Sequence, residues 1–182
     1  DYVTKYDDHI DILACPKDPR QASKIDSKYI EIAIDKAEYL YDIVLIDTNH
    51  ILNELNLVIL DAVTEILFVM NNDPMDLKNI KSLLSIFRDL NKDNYKILLN
   101  NSRDPFKKYF TMFDIKNILK ENVNYEISSE FYIKNIDTYI MNGSIITLDK
   151  KASGTFNKDY TTMTRLAVDL ISVEKRVINE EN

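Results

Sequence analysis

Five short apolar runs alternate with segments of helical period, and this alternation narrows most what the chain can fold into. The runs are "IDILAC" (Ile10–Cys15), "IVLI" (Ile43–Ile46), "EILFVM" (Glu65–Met70), "YKILL" (Tyr95–Leu99) and a weaker "YEIS" (Tyr125–Ser128). They are continuous, as strands are when helices cover both faces of their sheet. In Ser27–Leu40, Ile30, Ile34 and Ala37 share a helical face, and Asn53–Thr64 and Asp114–Asn122 read as shorter helices. After "NNDPMD", Asp73 or Asp76 can cap a helix striped by Ile80, Leu83, Leu84, Phe87 and Leu90. Ile133, Ile136 and Ile140 mark another helix, closed by Gly143 at a C-cap position. Met163, Leu166, Ala167, Leu170 and Ile171 form the stripe of a last, long one. Strand and helix in alternation predict an α/β fold, a mostly parallel sheet with helices on both faces. "IVLI", "EILFVM" and "YKILL" are predicted to be adjacent or near-adjacent parallel strands.

A length of 182 residues with 45% hydrophobic content suffices for one core and a single domain. The net charge of −7 turns the chain away from nucleic acid, because phosphate contacts need clustered Lys and Arg. Cys15, the single cysteine, fits a reducing compartment and reads as a buried structural thiol, with no histidine beside it to make a nucleophile. No apolar run approaches the about 20 residues of a membrane span, and the opening "DYVTKYDD" is polar, unlike a signal peptide. Two histidines, His9 and His50, with one cysteine give a poor ligand set for zinc.

The two glycines, Gly143 and Gly154, exclude the common phosphate cradles. A phosphate loop G-x-x-x-x-G-K-[ST] needs glycines five apart followed by lysine; these stand eleven apart, with no lysine after either. The fingerprint G-x-G-x-x-G fails on the same count. Whatever this chain binds, it has no glycine-rich loop of its own to hold phosphate.

In open parallel sheets, ligands gather at the carboxyl ends of the strands. Those ends here read "CPKDP", "DTNH", "NNDP", "NNSRDP" and "SSE", and two carry paired asparagines. Polar residues end strands in any protein. Their concentration on one rim points to a site.

With that order in view, the chain resembles the later part of the deviant-Walker P-loop ATPases of the ParA/MinD superfamily, and within it the pilus-assembly ATPases of CpaE/TadZ type. Four segments carry the resemblance: "IDILACPKDPRQAS", "YDIVLIDTNHILNELNLVILDAVTEILFVMNND", "NYKILLNNSRD" and "ISSEF" with "YIMNGSIITLDKK", in family order from Ile10 to Lys151. The second, which is similar to the switch II strand, its helix and the next strand, is the most specific. The resemblance implies that residues 1–182 are the C-terminal portion of one ATPase domain, with the phosphate loop and its lysines upstream of Asp1. A natural short relative is the rival expectation.

It also assigns roles. Asp47 would be the switch II acid, holding a water on Mg²⁺ and sensing the γ-phosphate, with Thr48 beside it; the alternative is a cap for the segment that follows. Here Asn49 and His50 replace the family's usual Pro or Gly. Asn100 falls on the adenine-recognising asparagine, whose amide pairs with both donor and acceptor edges of a base; Asn101 is the neighbouring candidate. Arg103, with Lys107 and Lys108, is either a solvated basic cluster or a polyphosphate contact. Glu130 takes the late-loop acid position, where the family more often has Asp after Pro. ATP and Mg²⁺ are the implied cofactors of the intact protein, with no direct metal ligand in this chain and no tight binding to it alone.

The implied function is a nucleotide-dependent localisation or assembly ATPase of a pilus, secretion or conjugation machine. It would be a cytoplasmic homodimer, recruited by protein partners to the membrane periphery or pole. A catalytically inactive scaffold with the same fold is the alternative. A plasmid or chromosome partition ATPase is the third reading, which the acidic balance and the acidic tail "VINEEN" disfavour.

Overall fold

The computed structural model describes residues 3–16, 18–22, 24–49, 53–102, 108–131, 136–150, 154 and 157–180, with backbone alone at Pro19, Ala22, Asn157 and 173–180. The chain divides into two compact units, Asp1–Val63 and Thr64–Asn182.

In the first unit, β1 (Thr4–Lys5) pairs antiparallel with β2 (Asp11–Ile12). Asp7 closes their turn, its Oδ1 accepting from the backbone N–H of His9 and Ile10, both at 2.8 Å. A short α1 (Pro19–Ala22) precedes α2 (Ser27–Leu40), whose N-cap Asp26 accepts from Lys28 N. The next helix, α3 (Glu54–Ala62), is capped by Asn53, which accepts from Asn56 N at 2.9 Å. Ser27 Oγ donates to Glu54 Oε1 at 3.0 Å and so ties the starts of α2 and α3 together.

Two strand expectations fail in this unit. Of Ile10–Cys15, only Asp11–Ile12 is strand, and it is antiparallel. Ile43–Ile46 forms no strand, and Ile43 and Leu45 stand 49% and 84% exposed. A strand is defined by the neighbour it bonds to, and no described residue supplies one for this run. Cys15 is exposed rather than buried.

The second unit holds a parallel sheet in the order β3 (Ile66–Asn71), β4 (Tyr95–Asn100), β5 (Tyr125–Ile127). Its register sets Asn71 beside Asn100 and Asn100 beside Ile127, so all three strands end on one line. Between the strands run α4 (Pro74–Asp89) and α5 (Met112–Leu119). Asp73 is the N-cap of α4, accepting from Met75 and Asp76 N–H, with Pro74 in the first turn where its missing N–H costs nothing. Thr111 and Asp114 form a reciprocal capping box on α5.

These helices cover the face carrying Phe68, Met70, Ile97 and Leu99. Leu77, Ile80, Leu84 and Phe87 of α4 and Ile115 and Leu119 of α5 are all buried. Phe68, Phe87 and Tyr95 pack as a triangle of rings with centroids 5.4–5.8 Å apart. Leu90, expected on the stripe, sits past the helix end and is exposed.

The opposite face, with Leu67, Leu98, Tyr125 and Ile127, is packed by Met163 and Leu166 of the last helix. A short α6 (Ile136–Met141) ends as its sequence predicts: Gly143 takes a left-handed φ of +61°, and Ser144 N donates back to Tyr139 O at 2.8 Å. Ile133 lies outside the described residues. The last helix, α7, runs Asn157–Glu180. The fold class is the one the sequence predicts, an α/β layer with a parallel sheet, built on three described parallel strands instead of five.

Candidate functional site: the carboxyl rim of the parallel sheet

The rim of the second unit is made by three strand exits, and each spends most of its polar groups on holding its own loop. At the end of β3, Asn71 donates from its backbone N and from Nδ2 to Asp76 Oδ2, at 2.9 and 2.7 Å. Asn72 then clamps a distant loop in both directions: Nδ2 donates to Phe110 O at 2.9 Å, and Oδ1 accepts from Phe110 N at 3.0 Å. The "NNDP" motif is therefore loop carpentry plus a helix cap.

At the end of β4, Asn100 Oδ1 accepts from Ser102 N at 3.0 Å and from Ser102 Oγ at 2.6 Å. That is an Asx-type turn, and it commits the carbonyl of the residue that the resemblance sets against adenine. Asn101 differs. It is 6% exposed, its Nδ2 donates to Glu126 Oε1 at 2.7 Å, and its Oδ1 is buried with no hydrogen-bond partner among the described residues. The Glu126 bond fixes the orientation of the amide, so the unpaired atom is the carbonyl. A buried acceptor left unmade costs about 1–3 kcal/mol, and it calls for a donor. Arg103 and Lys107 lie outside the described residues; Lys108 is exposed.

At the end of β5, Ser128 leads into a 3-10 turn, Ser129–Phe131, that carries Glu130 outward, exposed to solvent. Glu130 N donates to Ser128 Oγ at 3.2 Å. Asn100 and Glu130 thus stand on one rim, at the ends of neighbouring strands.

Asp47 and Thr48 belong to the first unit, and both are exposed. Asp47 caps no described helix, since the cap of α3 is Asn53. The segment is held by Asn49, whose O and Oδ1 accept from Asn56 Nδ2 at 3.2 and 2.8 Å. Asn56 is 7% exposed, a buried amide in a helix whose charged residues, Glu54 and Asp61, are exposed. Nothing in the sequence marks it, because its partner comes from a loop seven residues earlier. His50 lies outside the described residues.

Among the described residues, the one large pKa displacement is at Tyr125, whose phenol is pushed up to about 12, by burial first and then by donation to Asp169 Oδ2 at 2.6 Å. Among the described residues, no group of three or more His, Cys, Asp or Glu could hold a metal ion. No helix among them is long and apolar enough to cross a membrane. On the rim, the Asn71, Asn72 and Asn100 side chains are engaged in holding loops, and the Glu130 carboxylate is exposed to solvent.

No protein-family model and no curated protein matches the chain. Solved structures do. A ParA family ATPase from Chlorobium tepidum TLS superposes with a TM-score of 0.72 at 15% identity, covering 91% of this chain and 67% of that one. The MinD cell division protein of Aquifex aeolicus gives 0.58 at 17% identity, covering 85% and 61%. A MinC:MinD cell division protein complex from the same organism gives 0.57 at 18%, covering 85% and 60%. At these identities the likeness is one of fold, the ParA/MinD fold, and against both MinD structures the chain spans less than two thirds of the other's length.

Proposed function

We propose that the chain is part of a nucleotide-dependent localisation or assembly ATPase of ParA/MinD type, serving a pilus, secretion or conjugation machine together with a protein partner. The observation that carries this is the amide pair closing β4 on the carboxyl rim of a sheet with the ParA/MinD fold. On this reading Asn100 or Asn101 meets the base, and the Asn101 carbonyl, without a partner among the described residues, is the acceptor that would take the 6-amino group of adenine. Between the two asparagines, Asn101 is the stronger base reader, because the Asn100 carbonyl already serves Ser102.

The phosphate end of the nucleotide is a different matter. Most phosphate affinity in P-loop proteins comes from backbone N–H groups and a lysine in a glycine-rich loop, and Gly143 and Gly154 build none. On this reading Asp47 and Thr48 of the first unit take the switch role, Arg103 and Glu130 of the second unit are each assigned a nucleotide contact, and a glycine-rich phosphate anchor is not found among these 182 residues. ATP and Mg²⁺ would supply the phosphoryl chemistry; this chain orients the base and contributes the switch acid.

Calorimetry separates the parts. The 182-residue chain should bind Mg·ATP weakly or not at all, whereas the full-length protein should bind it and prefer adenine to guanine. Asn101→Ala should erase that preference. Tight, Mg²⁺-dependent binding by the 182 residues alone, or full base selectivity in Asn101→Ala, would overturn this assignment. A scaffold that keeps the fold without turnover is favoured by one observation: Asn71, Asn72 and Asn100 are all engaged in holding loops. It predicts a full-length protein with no ATPase activity.

A further inference from the structure

Asp159 sits in the first turn of α7 and is 2% exposed, a carboxylate almost wholly withdrawn from water. Both its oxygens are used on one residue of the rim. Ser128 N donates to Oδ1 at 2.6 Å, and Ser128 Oγ donates to Oδ2 at 2.8 Å. That hydroxyl in turn accepts from Glu130 N, so a single chain of bonds runs from α7 through Ser128 to Glu130. A second link runs parallel to it: the Phe131 ring meets the Tyr160 ring edge-on, with centroids 6.1 Å apart. Plain anchoring of a helix needs apolar contact, which Met163 and Leu166 already give against Leu98, Tyr125 and Ile127. A buried charge directed at a rim turn is more than that contact requires.

We infer that Asp159 is the positioning residue of the Ser128–Phe131 turn, and that it makes the start of α7 follow that turn when a ligand engages the rim. The ligand part rests on the nucleotide reading given above; the link itself does not. The physical reason is the cost of stranding a buried carboxylate. If the turn shifts and Ser128 takes its N–H and O–H away, Asp159 is left without donors in a dry place. The helix start must then move with the turn or open to water. Displacement at Glu130 thereby reaches a helix long enough to present it to a partner.

Hydrogen exchange on the full-length protein, read residue by residue by NMR, tests both steps. Without nucleotide, Asp159→Ala should speed exchange at the Ser128 and Glu130 amides by roughly tenfold or more. Asp159→Asn, whose carbonyl can accept from Ser128 N and whose amide can donate to its hydroxyl, should return most of the protection. If Asp159→Ala does not fold, Ser128→Ala keeps the bond from Ser128 N and loses both bonds of the hydroxyl, and must loosen Glu130. Wild-type exchange rates at Ser128 and Glu130 in Asp159→Ala, or at Glu130 in Ser128→Ala, overturn the positioning role. With Mg·ATP, the wild type should gain protection in the turn and in the first two turns of α7, whereas Ser128→Ala and Asp159→Ala gain it in the turn only. A helix response that survives in those variants overturns the coupling. If nucleotide leaves the wild-type turn untouched while the nucleotide-free result holds, the nucleotide reading fails and the positioning role stands.

Discussion

The two units of this chain are built from similar apolar runs and differ in what those runs achieve. "IVLI" in the first unit and "ILFVM" in the second are alike in length and composition, yet the first forms no strand and the second is bonded into a parallel sheet. Among the described residues, Ile34 is the buried apolar side chain of the first unit, while the second buries fourteen. Charge divides the same way. Asp1–Val63 carries 13 acidic and 6 basic residues and so the whole net −7, whereas Thr64–Asn182 carries 17 of each. The difference teaches that apolar strand-like sequence is a request for neighbours. In the second unit β4 bonds to the run and α4 packs on it; in the first, Leu45, Tyr39 and Leu40 remain in solvent.

The contrast can be broken most directly by hydrogen exchange. Amides of β3 and β4 should be slower than those of Ile43–Ile46 by roughly a thousandfold or more, since strand cores open only with global unfolding while unpaired segments open at almost no cost. Equal protection in both would show that "IVLI" has a ladder partner in solution.

Next is chemistry against stability in the first unit. In the full-length protein, Asp47→Asn removes a charge from an exposed position that caps no described helix. If the proposed nucleotide reading holds, its melting temperature should stay put while ATP turnover falls on the order of a hundredfold, the scale of one active-site electrostatic contact. Normal turnover with about 1 kcal/mol lost stability would instead return Asp47 to the role of a local cap.

Core truncation sharpens the comparison further. Leu84 is fully buried, and Leu84→Ala should cost about 2–5 kcal/mol in urea unfolding. Leu45→Ala, at 84% exposure, should stay within about 0.5 kcal/mol. A large loss at Leu45 would mean that this face is covered by another chain.

The smallest effect is in alkali. Tyr125 is held protonated to about pH 12, so in the folded state it keeps a proton that the unfolded chain releases near its ordinary value of 10. Its contribution is complete below pH 10 and is lost as pH rises toward 12, because there the unfolded state binds fewer protons. Tyr125→Phe should remove that part of the alkaline slope. Tyr41, half-buried and raised by its bond to Asp11, should lose that bond as it ionises above its ordinary value, with a smaller loss of structure than at Tyr125. Ultraviolet titration of phenolate beside circular dichroism reads both.

Much of this was legible beforehand. Helix α2 begins and ends where its period predicts, Gly143 closes α6, and Asp73 caps α4, because helices and their caps are made of contacts within a few residues. That β3, β4 and β5 are parallel strands, with β3 and β4 as neighbours, was likewise written in continuous apolar runs separated by helices. The sequence by itself also determined that no glycine loop holds phosphate here, since that needs residue types this chain lacks. Only the tertiary structure decided which strand-like runs become strands, because a ladder needs a partner from elsewhere in the chain. It alone distinguished Asn100, turned to Ser102, from Asn101, whose carbonyl is buried and unmet among the described residues. And it alone brought Asp159 to Ser128, across 31 residues, through a bond that no local pattern announces.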